Sequence, residues 1–300
     1  MDTNQSESFL SIPIASKVFS PTLLTQLAKT GRSRLLTSVV SESGFDKLCE
    51  ANDSLSNCFD LIYSELQSSY RNEYIYKNAI ANKILLGRHS LNTATMHTEF
   101  RVGESKADIL ILNGTSHIYE IKTELDSLER LSKQLDDYLK FSEYVTIVTA
   151  DRHVEKLLQR APSAVGILIL TGRGSLKTIR KANSGKNNLV NSLIFDSLQK
   201  SEYTKIIYEI SGFLPDVSNA LMYTECKKVF EQFDINDCHH LIVDGLKSRN
   251  MDNKTKEFIM SVPECLKAAA TAIKLTKAQR TTLLDVLRKR ISDCIYHSSE

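Results

Sequence analysis

No stretch of the chain stays apolar long enough to cross a membrane. The longest uninterrupted run is Val165-Gly166-Ile167-Leu168-Ile169-Leu170, whereas a spanning helix needs about 20 apolar residues. Cysteine is scarce and scattered, with six residues at 49, 58, 226, 238, 265 and 294 and no C-x-x-C pair. That argues against a secreted disulfide scaffold and for a reduced, cytoplasmic protein. Charge of one sign is missing too: 38 basic residues stand against 36 acidic ones, a net +2. A polycation that coats nucleic acid by bulk charge is therefore excluded, and any such binding must come from a local patch. The start, Met1 to Ser8, lacks the basic opening of a signal peptide. Internal repeats and low-complexity tracts are absent as well. What remains is 300 residues with 42% hydrophobic and 25% charged positions. That is an ordinary globular mixture, long enough for one large domain or two smaller ones.

Hydrophobic spacing divides the chain into four segments. Residues 1–70 carry helical signals, with a start at Ser20-Pro21 and apolar positions at Phe59, Ile62, Tyr63 and Leu66. Residues 71–172 change character. A helix over about 71–86 precedes alternating segments at 99–102, 107–112 and 117–122, with Asn113-Gly114 as a strong hairpin signal between the last two. From Asp126, a good N-cap, Leu128, Leu131, Leu135 and Leu139 share one helical face. A strand follows at 144–148, a short helix at 153–160 and a buried strand at 165–170. Residues 173–188 read as a basic linker, and 189–300 as a helical C-terminal region with an amphipathic segment near 276–295. Strands separated by helices predict an α/β fold, a mixed central sheet flanked by helices.

The chemistry concentrates between 99 and 140. Alternation places Asp108 on the face of Leu110, and Glu120 on the face of Lys122. Pairing through Asn113-Gly114 would bring Asp108 and Glu120 side by side. Two adjacent carboxylates repel unless a cation holds both. Hard oxygen donors without clustered His or Cys suit Mg²⁺ or Mn²⁺ rather than zinc. Lys122 could then stabilise a hydroxide nucleophile or the charge that develops on a phosphodiester.

These residues resemble the PD-(D/E)XK nuclease superfamily, in its RecB-like branch, over about residues 71–170. The pattern reads Ala107-Asp108, eleven residues, then Glu120-Ile121-Lys122, with Ala where the usual Pro stands. Gln134 and Tyr138 are similar to the Q-x-x-x-Y element of that branch. The resemblance implies a restriction-endonuclease-like αβββαβ core and a metal-dependent nuclease, with DNA ahead of RNA as substrate and a 5′-phosphate product. It makes Asp108, Glu120, the Ile121 carbonyl and Glu73 the metal ligands, has Lys122 activate water, and has Gln134 and Tyr138 position the phosphate or Lys122. Endonuclease action, anti-phage defence and mobile-element biology are roles that such nucleases fill.

Plainer readings stand beside these. Glu73 could simply pair with Lys77 at i,i+4, Glu99 could approach the metal but is expected to face water, and Gln134 and Tyr138 could be core rim. Cys238-His239-His240 lacks a second ligand pair for zinc, and no cysteine grouping fits an iron–sulfur cluster. From 156 to 195 there are seven basic residues and no acidic one. Arg173, Lys177, Arg180 and Lys181 in that stretch are the candidate phosphate contacts. The rival function is a catalytically silent nuclease-fold module that binds nucleic acid or a partner protein, and an RNase is a third. The C-terminal helices could serve a homo-oligomer or a protein partner.

Overall fold

A computed structural model describes residues 11–50, 52–249 and 252–296. The reading of Met1 to Ser8 lies outside the described residues. The chain forms two compact units, residues 1–78 with 252–300, and residues 79–251. This partition differs from the four segments suggested by the sequence. The C-terminal region divides: residues from 252 onward join the N-terminal helices, while the preceding helices belong with the sheet.

The first unit is helical. Ser20 accepts the Leu23 N–H and Pro21 occupies the first turn, so the helix Pro21–Thr30 begins where the sequence expects. Ser54 caps Leu55–Ser69 in the same way, and Thr276 with Gln279 forms a reciprocal cap on Lys277–Leu287. Leu24, Leu27, Leu36, Phe59, Ile62 and Leu283 are buried in its interior. Cys49 and Cys58 lie next to each other in this unit, with Cα atoms 5.6 Å apart. The other four cysteines are buried free thiols.

The second unit is built on a six-stranded sheet in the order β1-β2-β3-β4-β5-β6. Its strands are β1 (Thr95–Val102), β2 (Ser105–Leu112), β3 (Ser116–Lys122), β4 (Tyr144–Thr149), β5 (Gly166–Leu170) and β6 (Leu176–Arg180). β1, β2 and β3 are antiparallel, β3, β4 and β5 run parallel, and β6 returns antiparallel to β5. The α/β class with a mixed, helix-flanked sheet is thus the observed architecture. Gly103 and Gly114 take φ of 58° and 68° at the two hairpin turns, a conformation that glycine adopts without Cβ strain. β5 reads Gly-Ile-Leu-Ile-Leu and is buried throughout, as expected of a strand covered on both faces.

Helix α1 (Leu131–Phe141) links β3 to β4, and α2 (Val154–Arg160) links β4 to β5. Three longer helices follow the sheet in this unit, α3 (Lys200–Ser211), α4 (Met222–Phe230) and α5 (Ile235–Lys247). Leu110, Leu112, Ile118 and Ile147 from the sheet share one core with Leu135 and Phe141 of α1 and with Ile207, Phe230 and Ile242 of the later helices. Within it, Cys238 is buried, and His239 Nε2 lies 3.2 Å from Ser116 Oγ. Those residues therefore serve packing and a buried hydrogen bond.

Two local expectations change. Asp126 does not cap α1. Its carboxylate instead accepts the Thr123 N–H and hydroxyl at 2.8 Å each, closing a turn, and the helix starts five residues later. The stretch read as a basic linker contains the edge strand β6, whose positions are exposed or half-buried. No helix among the described residues is long and apolar enough to cross a membrane.

Candidate active site

The site forms where the β2–β3 ladder opens. Its last recorded pair is Ile109↔Tyr119, and continuing that register sets Asp108 opposite Glu120. There the backbone ladder gives way to a side-chain bond: Asp108 Oδ2 accepts the Ile121 N–H at 2.6 Å. β3 meanwhile stays paired with β4 as far as Lys122↔Thr149. Asp108 is thus bound to β3 from one side of the opening, with Glu120 and Lys122 on the other.

Glu120 is almost wholly buried, at 1% exposure, and Lys122 is at 9%. The Lys122 ammonium donates to Glu120 Oε1 at 2.8 Å and to Gln134 Oε1 at 3.0 Å. The Tyr138 hydroxyl lies 2.9 Å from two acceptors, Glu120 Oε2 and the Lys106 carbonyl. Gln134 and Tyr138 are one turn apart on α1. The burial of Leu131 and Leu135 turns that face toward the sheet. The structure therefore brings four expected residues, Glu120, Lys122, Gln134 and Tyr138, into one closed network.

Burial drives the Glu120 carboxyl upward from its ordinary value, against the pull of Lys122 and the hydrogen bonds from Tyr138 and Gln134. Burial likewise raises the Tyr138 phenol, and the adjacent Glu120 charge raises it further, so the hydroxyl keeps its proton. That single proton faces two acceptors. When it goes to the Lys106 carbonyl, a proton on Glu120 satisfies the other contact.

Truncating Tyr138 to Phe removes the shared donor and leaves Glu120 Oε2 and the Lys106 carbonyl short of a partner. The expected loss is about 1–3 kcal/mol of stability, read from the urea midpoint with the slope unchanged. A loss below about 0.5 kcal/mol would show that the phenol is not holding Glu120.

Glu99 is exposed to solvent, as expected, and it also reaches toward Asp108. One of its carboxylate oxygens and one of Asp108's lie within 4.8 Å of each other. Glu99 also takes φ of 55°, a left-handed conformation inside a strand, the one such non-glycine among the described residues. The β1–β2 register runs through Thr98↔Ile109 and Phe100↔Ala107 on either side of it. No period-2 pattern announces that rotation. A strained residue beside a second carboxylate is the kind of outlier that accompanies functional sites. Lys106 balances the charge by pairing with Glu99 at 2.5 Å.

Replacing Glu99 by Gly relieves the left-handed strain, worth about 1–2 kcal/mol, against the loss of an exposed ion pair with Lys106. Thermal unfolding of Glu99→Gly should show stability equal to or above the parent. A clear loss would refute the strain.

Glu73 opens the helix Glu73–Ile80 in the other unit, where it pairs with Lys77 at 2.5 Å. The four basic candidates do not form one patch beside Lys122. Arg173 sits in the turn before β6, and Lys177 is exposed on β6. Arg180 is occupied structurally: its guanidinium donates to the Val165, Ala161 and Pro162 carbonyls at 2.7, 3.3 and 2.9 Å. Arg180 and Lys181 line a cavity on the opposite face of the sheet from Glu120 and Lys122.

Glu99 and Asp108 supply the hard oxygen donors that suit Mg²⁺ or Mn²⁺. Two such carboxylates within reach of each other are the kind of donors a divalent cation takes. Both Glu120 oxygens are held, one by Lys122 and one by Tyr138.

A family model described as Bacteriophage P4 protein cII matches residues 66–262. Protein cII of Enterobacteria phage P4 is 28% identical over 198 residues, covering 63% of this chain and 62% of that relative. The chain thus spans less than two thirds of the length of the relative. No solved structure matches.

Proposed function

The chain belongs to the bacteriophage P4 protein cII family, and on its carboxylate–lysine site we propose that it is a metal-dependent nuclease acting on DNA. The observation that carries this reading is the joint placement of Asp108, Glu120, Lys122, Gln134 and Tyr138 at one opening of the sheet. Each residue of the PD-(D/E)XK resemblance within this unit lies there. A phage relative also suits a role in mobile-element biology.

Asp108 and Glu99 would hold Mg²⁺ or Mn²⁺, with the Ile121 carbonyl and a released Glu120 oxygen as further ligands. The bound cation supplies Lewis-acid polarisation of a phosphoryl oxygen and a lowered pKa for water. Lys122 offsets the negative charge that builds on the phosphoryl group. Gln134 holds the Lys122 ammonium in place, and Tyr138 holds Glu120 while keeping its own proton. The Ile121 amide fixes Asp108, which keeps the carboxylate at the opening.

A second reading has an observation in its favour. Both Glu120 oxygens are already engaged, by Lys122 and Tyr138, as they would be in a nuclease fold that binds without cutting. Incubation with supercoiled, linear and single-stranded DNA and with RNA, each in Mg²⁺, Mn²⁺ or EDTA, separates the two. Cleavage of DNA that needs the metal supports the nuclease. Binding in EDTA with no cleavage in either metal supports the silent module, and cleavage of RNA alone would move the substrate to RNA.

A further inference from the structure

On the sheet face turned away from Glu120 and Lys122, the second unit holds a cavity of about 380 Å³. We infer that this cavity is a nucleotide site that takes a heteroaromatic base bearing a phosphate. The ligand is either a free mononucleotide or the phosphorylated end of a strand. The inference does not rest on the nuclease reading, since the residues concerned point to the other side of the sheet.

Charge selects the anion. Arg88, Arg180 and Lys181 line the cavity, and no Asp or Glu stands among the described residues that line it. Arg88 and Lys181 are exposed, so their cations can meet a phosphate at the rim. Burial lowers the His89 and His117 imidazoles on the wall behind it, and the Arg88 charge lowers both further.

Flat surfaces select the base. The His117 and Tyr119 rings stack with centroids 4.1 Å apart and an interplanar angle of 18°, and the Tyr144 ring lies 5.6 Å from His117. His117 Nε2 lies 2.7 Å from Thr146 Oγ1, and Nδ1 lies 3.2 Å from the Tyr119 hydroxyl, so the ring is fixed. Burial pushes its pKa down to about 3, which leaves a neutral aromatic plane rather than a cation. Ile111 and Leu168 add apolar lining, and Asn113 and Thr178 add hydrogen-bonding groups. A volume of about 380 Å³ is far larger than inorganic phosphate needs and falls in the range of small-molecule sites. Aromatic stacking on a base with cations at its phosphate is the usual economy of single-strand recognition.

Calorimetric titration of the full chain in EDTA tests this, because removing metal takes from the Glu99–Asp108 site the cation through which two carboxylates would hold an anion. The probes are AMP, adenosine, inorganic phosphate and a 5′-phosphorylated tetranucleotide. The expected result is one AMP per chain, with adenosine and phosphate at least tenfold weaker. Arg88→Ala combined with Lys181→Ala should weaken AMP tenfold or more. Tyr144→Ala should weaken AMP but not phosphate, and Asp108→Asn should leave AMP binding unchanged. Binding of the tetranucleotide alone, with the same dependence on Arg88, Lys181 and Tyr144, would identify the strand end as the source. Phosphate binding as tightly as AMP, AMP binding indifferent to the paired basic substitutions, or no binding of any probe by the folded parent would overturn the proposal.

Discussion

Lys122→Ala is expected to lower metal-dependent DNA cleavage by about 10²–10⁴-fold, the range lost with a positioned acid–base or charge-stabilising group. The same substitution has a structural cost. Lys122 and Glu120 are 11% and 2% exposed at the side chain and 2.8 Å apart. Removing one member of such a pair leaves a buried charge unopposed, at a cost of about 3–5 kcal/mol. The sign of the pH dependence follows from Glu120. Burial raises its carboxyl above the unfolded value, so the folded state favours the protonated form. The penalty is absent below the unfolded pKa and grows as pH rises through the folded one. Loss of the Lys122 cation raises that carboxyl further, so the stability deficit of Lys122→Ala should shrink on acidification toward about pH 4. Denaturant midpoints at several pH values measure this directly. A deficit that does not change with pH would mean that Glu120 is not the group left unpaired.

Asp108→Asn isolates the negative charge. The amide side chain keeps an oxygen to accept the Ile121 N–H, whose present bond is 2.6 Å, so the β2–β3 opening should survive. What it removes is half of the Glu99–Asp108 oxygen pair. Cleavage is expected to fall on the order of 10³-fold, the equivalent of several kcal/mol of charge stabilisation. Binding to the folded state alone raises stability by mass action, so Mn²⁺ should raise the melting temperature of the parent and leave that of Asp108→Asn unmoved. An equal Mn²⁺ response in both proteins would place the metal elsewhere.

Much of this arrangement is legible in the sequence because it depends on short-range signals. Asn113-Gly114 fixes the β2–β3 turn, and a period of two then sets Asp108 opposite Glu120. The four-residue spacing of Gln134 and Tyr138 puts them on one helical face. Other features depend on partners distant in the chain. β6 reads as a loop because its residues are polar and half-exposed, and only pairing with β5 makes it a strand. Asp126 has the chemistry of a helix cap, but the Thr123 amide and hydroxyl compete for it. The rotation at Glu99 leaves no trace in residue type, and neither does the grouping of the N-terminal helices with residues from 252 onward. Arg180 reads as a free cation, although three backbone carbonyls already hold it.

The most direct test of the central claim compares proteins matched in stability. Glu120→Gln combined with Lys122→Met replaces the buried ion pair by neutral groups of similar size, a change that is often neutral for stability. Supercoiled plasmid cleavage in Mn²⁺ by the parent and this double variant, both folded at the assay temperature, is the decisive measurement. Nicking by the parent that disappears in EDTA and in the double variant is the expected result. Equal nicking by both proteins, or none by the parent in any metal, would contradict the assignment of Asp108, Glu120 and Lys122 as a nuclease site.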